Sequence, residues 1–204
     1  LLSYSYLLLS KKKFEEGFKY FDARLHAVEF ANKNKYHFNI LKKLNHNLKL
    51  DNNKKILIVK EQGVGDEILF SSMYNDLIIN NFSKIKIECD KRLLEIFKRS
   101  FDRNIFVPFG HYSSSFKQIK KFDNILYAGS LTKHFRKTKE DFQQKPYIKS
   151  QNQLDKKFNS ILTNFEHKKK IGISWKSVFN IFGSLKSLKL KDFKELYSEE
   201  RLFI

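Results

Sequence analysis

Between Glu61 and Asp66 the sequence reads E-Q-G-V-G-D, directly after the apolar run Ile56-Leu57-Ile58-Val59 and directly before a helical pattern. Gly63 and Gly65 let a backbone turn sharply and come close to a ligand. A helix starting there aims its unpaired N–H groups at the same spot, which favours an anion or a polarised hydroxyl. Asp66 adds a carboxylate that can take a proton from a hydroxyl nucleophile within about 3 Å. The plainer reading is structural, with the glycines forming a tight turn and Asp66 acting as the N-cap.

A second segment with chemical content runs from Ser174 to Ser187. Ile171–Trp175 reads as a strand whose end carries Ser174, Trp175, Lys176 and Ser177. A polar loop with Asn180, Gly183 and Ser184 follows, then Lys186-Ser187. Hydroxyls, backbone amides and a lysine after a strand are the usual parts of a phosphate cradle. A plain surface loop accounts for them equally well, and Trp175 suits a core position.

The glycine turn also invites comparison with a dinucleotide site. Ile68 stands where the third glycine of G-x-G-x-x-G belongs, while Glu88 and Asp90 fall about 20 residues on, where a ribose-binding acid is expected. The acidic pair Asp66-Glu67 at the helix start disfavours a pyrophosphate there.

These residues need elements to position them. Phe14, Phe18, Phe21 and Leu25 fall at helical spacing. Residues 1–45 therefore read as helical, with Leu1–Leu9 a helix and Ser10–Lys13 a turn. Two short helices cannot bury their faces alone, which suggests the end of a helical-repeat array or a cap. The polar stretch 45–53 reads as a domain boundary. From Lys54 strands and helices alternate. Strands are expected at 56–59, 84–89, 104–107, 122–127, 170–175 and 202–204. Helices are expected at 66–80, 92–99, near 131–135, at 153–165 and at 191–197. Such alternation argues for an α/β fold with a parallel sheet. Ligands on these sheets bind beyond the carboxyl ends of the strands, which is where both segments above fall.

Composition narrows the class. The 204 residues are 41% hydrophobic and 30% charged, a globular balance. Cys89 is the only cysteine, which excludes an internal disulfide and a cysteine zinc site and reads as a buried strand-end residue. The six histidines show no metal spacing. The net charge of +18 is spread along the chain as solvated lysines; no zinc-finger or RNP motif accompanies it, so specific nucleic-acid binding is not expected. The opening LLSYSYLLLS is far short of the ~20 residues needed to cross a bilayer, and it lacks a basic flank and cleavage site, so no transmembrane segment or signal peptide is expected. Leu1 is not methionine and Arg201–Ile204 reads as the opening of a strand, so the chain is expected to be a piece of a longer one.

Taken together, the segments resemble a family. E-Q-G-V-G-D-E-I-L-F at Glu61–Phe70 resembles the E-Q-G-x-G-D-x-I-x-F signature of bacterial glycosyltransferases that carry tetratricopeptide repeats and are similar to heptosyltransferases. F-E-E-G-F-K-Y-F-D-A-R-L at Phe14–Leu25 resembles their last repeat helix, F-x-E-G-W-x-x-Y-E-W-R, with Phe18 for the tryptophan. K-P-Y-I at Lys145–Ile148, I-G-I-S-W-K at Ile171–Lys176 and L-K-S-L at Leu185–Leu188 resemble I-P-Y-L, V-G-L-x-W-x-G and R-S-I-P. Ser177 replaces the glycine of the fourth motif, and Lys186 the arginine of the fifth.

The resemblance implies a GT-B architecture. Residues 1–45 would be a tetratricopeptide-like repeat or cap, 54–166 the acceptor-side Rossmann-like domain, and 168–204 the start of a nucleotide-sugar-binding domain. It implies inverting, metal-independent transfer from a nucleotide-sugar to a glycan, lipid or protein acceptor, with no further cofactor. Asp66 would be the general base, and Glu61, Gln62, Gly63 and Gly65 would shape the acceptor loop. Ser174, Trp175, Lys176, Lys186 and Ser187 would lie near the donor, where Lys186 could offset leaving-group charge. The repeat-like helices would offer a protein-partner surface. A cytoplasmic enzyme, able to lie against the inner membrane and inactive as this piece alone, is expected. Two other classes stay open: a Rossmann-type NAD(P)-binding oxidoreductase and a non-catalytic basic interaction module.

Overall fold

The computed structural model describes residues 1–27, 32, 35–44, 50–80, 84–101, 104–142, 145–177, 183–196 and, as backbone, 201–203. Residues 45–49 of the polar break, Asn180, Tyr197 and Ile204 lie outside the described residues. The chain divides into two compact units, Leu1–Lys149 and Ser150–Ile204.

The larger unit opens with α1 (Leu2–Ser10) and α2 (Phe14–Phe21), followed by a 3-10 turn, Asp22–His26. The two helices pack tightly because Gly17 presents no side chain. A Cβ there would meet Leu9 Cδ2 at 2.6 Å, and the buried Ser5 hydroxyl donates to the Gly17 carbonyl at 2.8 Å. A short helix α3 (His37–Leu41) comes next.

The sheet follows: β1 (Ile56–Val59), α4 (Val64–Ser71), α5 (Tyr74–Ile79), β2 (Ile85–Cys89), α6 (Leu94–Phe101), β3 (Phe106–Pro108), α7 (Phe116–Ile119), β4 (Asn124–Tyr127), a 3-10 turn Ala128–Leu131, and α8 (Thr132–Phe135). The strands are all parallel in the order β3-β2-β1-β4, the arrangement of a Rossmann-like α/β fold. Every residue of β1 is fully buried, which is why the strand reads as an unbroken apolar run. Successive side chains point to opposite faces. Ile56 and Ile58 pack with Met73, Leu77, Phe97 and Phe106, whereas Leu57 and Val59 pack with Leu25, Ile40 and Ile119. Cys89 closes β2 and is buried. Burial and the nearby charge of Glu67 push its thiol up to about 12, so it is inert.

The single helix expected over 66–80 is two helices that break at Ser72-Met73. The buried Arg136 takes the Ser72 carbonyl at 3.0 Å, an acceptor that an unbroken helix would offer to Asp76 N–H.

In the smaller unit α9 (Asn152–Thr163) carries Leu154, Phe158 and Ile161 on one side, all about half exposed. β5 (Lys169–Ile171) pairs in parallel with β6 (Arg201–Phe203). The strand expected over 170–175 thus stops at Ile171, where its partner residue is Phe203, and residues 172–177 have no regular structure. The helix expected at 191–197 is a 3-10 segment, Leu190–Leu196. Among the described residues no helix is long and apolar enough to cross a membrane.

Candidate functional site

Chain order makes β1 and β4 the neighbours between which the connections reverse direction. The crevice beyond their carboxyl ends is the topological switch point, where such sheets bind ligands. Glu61, Gln62, Gly63, Gly65 and Asp66 all lie on the loop and helix start that leave β1 there.

Gly63 is the N-cap of α4, with extended backbone at φ −92° and ψ 174°. Asp66 is therefore not the N-cap; it stands two residues beyond the first helical position. Its Oδ2 accepts the Gly63 N–H at 3.1 Å, the carboxylate half of a capping box, whose other half a glycine cannot supply. Among the described residues Asp66 has no other protein partner, and its side chain is half-buried. Gln62 is exposed and holds φ at +60°, a left-handed conformation uncommon outside glycine. Gly65 faces open space, since a Cβ there would meet nothing within 4 Å.

Glu61 turns the other way and is fully buried. Its two oxygens receive Arg24 Nε at 2.8 Å and Nη2 at 2.7 Å, a bidentate pair. Glu61 Oε1 also accepts the Gly129 N–H in a very short contact. Arg24 continues to Asp22 and the Phe21 carbonyl, both at 3.0 Å, and lies 4.2 Å over the Phe21 ring. Asp22 in turn accepts the Ser130 hydroxyl at 2.6 Å and Lys133 Nζ at 2.7 Å. Burial opposes the charges of Asp22 and Arg24, yet their partners prevail. Lys133, Ser130 and Arg24 hold the Asp22 carboxyl below its ordinary value, and Glu61 holds Arg24 above its own. Glu61 is thus a tie between the N-terminal helices and the ends of β1 and β4, not a ligand contact. Arg24, Asp22, Gly129, Ser130 and Lys133 were not singled out as site residues from the sequence. Gly129, two residues beyond the end of β4, was the one legible signal.

Asp66 borders a cleft of about 350 Å³ between α1, α2, α4 and the α8 region. Tyr6, Leu9, Phe18, Phe21, Leu69 and Phe142 give it mostly apolar walls, with Gln62 and Asp66 among the polar groups. Arg136 also borders it, but its guanidinium is committed to Asp76 Oδ2 at 2.8 Å and to the Phe135 and Ser72 carbonyls.

The neighbouring acids are occupied. Glu67 is fully buried and does not line the cleft; Lys60 Nζ lies 2.9 Å from its Oε1 and Asp90 N–H donates to its Oε2 at 2.9 Å. Burial raises its carboxyl despite Lys60. Only Asp66 of the expected acidic pair therefore borders the cleft. Glu88 accepts the Tyr112 and Ser113 N–H groups at 2.5 and 2.9 Å and the Ser113 hydroxyl at 2.6 Å. Asp90 is bound by Arg92 and Lys60, which hold its carboxyl well below the usual range.

In the second unit the loop is closed by its own groups. Leu188 N–H donates to the Trp175 carbonyl at 2.8 Å, Ser177 N–H to Ser187 Oγ at 2.9 Å, and Ser187 Oγ to the Gly183 carbonyl at 2.6 Å. The Ser187 hydroxyl is spent on the loop itself. Trp175 is half-buried, and Ser174, Lys176 and Lys186 are exposed. Among the described residues neither lysine forms an ion pair, and no group of three or more His, Cys, Asp or Glu side chains is placed to hold a metal.

Comparison with protein-family models, curated proteins and solved structures gave no match in any of the three.

Proposed function

We propose that the chain carries the acceptor half, and the opening of the donor half, of an inverting, metal-independent glycosyltransferase. The observation that carries this reading is Asp66. It stands at the switch point of a parallel sheet, one oxygen tied to Gly63 N–H, on the wall of an open cleft. In the proposed step Asp66 takes the acceptor's hydroxyl proton as that oxygen bonds to the anomeric carbon. The nucleotide departs with the electron pair of the bond it loses. Residues 54–166 would hold the acceptor, and 168–204 would begin the nucleotide-sugar domain. There Ser174, Trp175, Lys176 and Lys186 are assigned to the donor, Lys186 as a countercharge. Ser187, committed within its loop, would shape that loop. The helices of residues 1–45 would be a repeat-like cap facing a protein partner.

Glu61 supports the acceptor geometry indirectly by fixing the start of the loop. The NAD(P) reading is weakened because Glu88, its ribose-binding candidate, already accepts three hydrogen bonds. Titration with NADH should leave nicotinamide fluorescence unchanged.

The decisive experiment is Asp66→Asn in the complete protein. The amide still accepts from Gly63 N–H, so the fold is kept. Sugar transfer should fall about 100-fold or more, the scale of a lost general base, with donor affinity retained. Near-normal turnover would remove Asp66 from the mechanism.

A further inference from the structure

The cleft beside Asp66 has more to say than the identity of a base. We infer that it takes an acceptor whose hydroxyl belongs to, or sits next to, an aromatic ring. This rests on the reading of Asp66 as the acceptor-side carboxylate.

The volume of about 350 Å³ is that of a small-molecule site. The wall rings Tyr6, Phe18, Phe21 and Phe142 belong to one aromatic array, joined in part through Phe14 outside the cleft. Tyr6 meets Phe21 edge-on at 6.4 Å between ring centres, Phe18 meets Phe21 at 5.9 Å and 82°, and Phe14 links Phe18 to Phe142 at 6.4 and 4.8 Å. A gap in such an array offers ring edges and faces to one more ring, the pairing that aromatic quadrupoles favour. The rim is apolar and open to solvent. Leu69 is 64% exposed and Phe142 38%, and both line the cleft.

Charge selects the rest of the ligand. Arg136 is the lining cation, and its guanidinium is bound to Asp76, Ser72 and Phe135. An anionic acceptor would therefore meet only the Asp66 carboxylate. A cationic one would approach a chain of net charge +18. A neutral hydroxyl donor fits both constraints, and Asp66 is placed to accept its proton.

The test uses three neutral probes of the full chain in calorimetric titration: phenyl β-glucoside, methyl β-glucoside and octyl β-glucoside below its micelle concentration. Phenyl glucoside should bind at least tenfold tighter than either of the others. Leu69→Ser and Phe142→Ser should each weaken it about tenfold while the circular dichroism stays unchanged, and the exposed Leu69→Ser should also keep the thermal midpoint. Equal affinity for phenyl and methyl glucosides, or no loss in either variant, overturns the inference. Tighter binding of the octyl compound overturns it in favour of an acyl chain. Asp66→Asn separates the two claims: if transfer survives that change while phenyl glucoside still binds, the base assignment fails and the aromatic site stands.

Discussion

Arg24 and Glu61 are 37 residues apart in sequence, yet they meet in a buried bidentate pair at 2.7 and 2.8 Å. The pair joins the N-terminal helices to the loop that leaves β1. It also sets the Phe21 ring, which lies under the Arg24 guanidinium and forms a wall of the cleft. Removing Arg24 strands the buried Glu61 carboxylate, and removing Glu61 leaves the buried Arg24 with Asp22; breaking such a pair costs about 3–5 kcal/mol. Arg24→Ala and Glu61→Ala should each lower stability by that order in urea denaturation. The double variant should cost clearly less than their sum, because the second removal no longer strands a charge. Strict additivity would mean the pair is not coupled.

Gly129 makes a related prediction. A Cβ there would meet Glu61 Oε1 at 2.5 Å, Arg24 Nη2 at 2.7 Å and Phe70 Cζ at 3.0 Å. These atoms belong to a buried pair and a buried ring and have little room to move. Gly129→Ala should therefore destabilise by about 1–3 kcal/mol, the usual cost of overpacking. Gly172→Ala, with nothing within 4 Å of the added carbon, should change the unfolding free energy little.

β1 was legible because burial on both faces demands an apolar run, which 56–59 supplies, whereas 84–89 showed itself by the alternation K-I-K-I-E-C and β4 by the run Ile125-Leu126-Tyr127. The glycine turn was legible because so few residue types permit it. The tie between Arg24 and Glu61 was not, since nothing local announces a pair between a helix of the first 26 residues and a strand end. Glu61 was expected to shape the acceptor loop, but the partner it does so through, buried Arg24, could not be read from the residues around it. The break at Ser72-Met73 was hidden for the same reason: its cause, Arg136, lies 64 residues away. In the second unit the expected strand over 170–175 had the right composition. A strand also needs a paired neighbour, and the ladder described here ends at Ile171.

Opposite exchanges at the two unusual positions, glycine in at Gln62 and glycine out at Gly65, should both hold or raise stability. Gln62 holds φ at +60°, which costs an L-residue about 1–2 kcal/mol. Gln62→Gly should relieve part of that and leave stability equal or slightly higher. Gly65 lies inside the first turn of α4 with open space at its Cβ position, so Gly65→Ala should stabilise by about 0.5–1 kcal/mol. If Gly65 serves close approach of the acceptor, the same variant should lose transfer despite its greater stability. A Gly65→Ala protein that is both more stable and fully active would assign the glycine to the turn alone.

Two histidines give the unit a pH dependence whose sign can be worked out. His134 has its Nε2 shut away without a partner among the described residues. Burial, with the charge of Lys133, lowers its pKa from 6.5 to about 4. His37 is also lowered, chiefly by burial. Its Nε2–H donates to the Leu25 carbonyl at 3.0 Å, which leaves Nδ1 to accept the Tyr127 hydroxyl at 2.7 Å. Both groups are neutral in the folded chain and bind protons more readily when unfolded. Their contribution is therefore complete above about pH 6.5 and is lost as pH falls from there toward 4. The urea midpoint should hold steady from pH 8 to 7 and decline between 6.5 and 4.5, above the range where Asp22 begins to protonate. His134→Phe should flatten that decline in part; His37 deepens what remains, and Glu67, whose raised carboxyl takes up a proton more readily in the folded chain, offsets some of it. A decline of the same depth in the unaltered protein and in His134→Phe would show that the fold does not hold the His134 imidazole neutral.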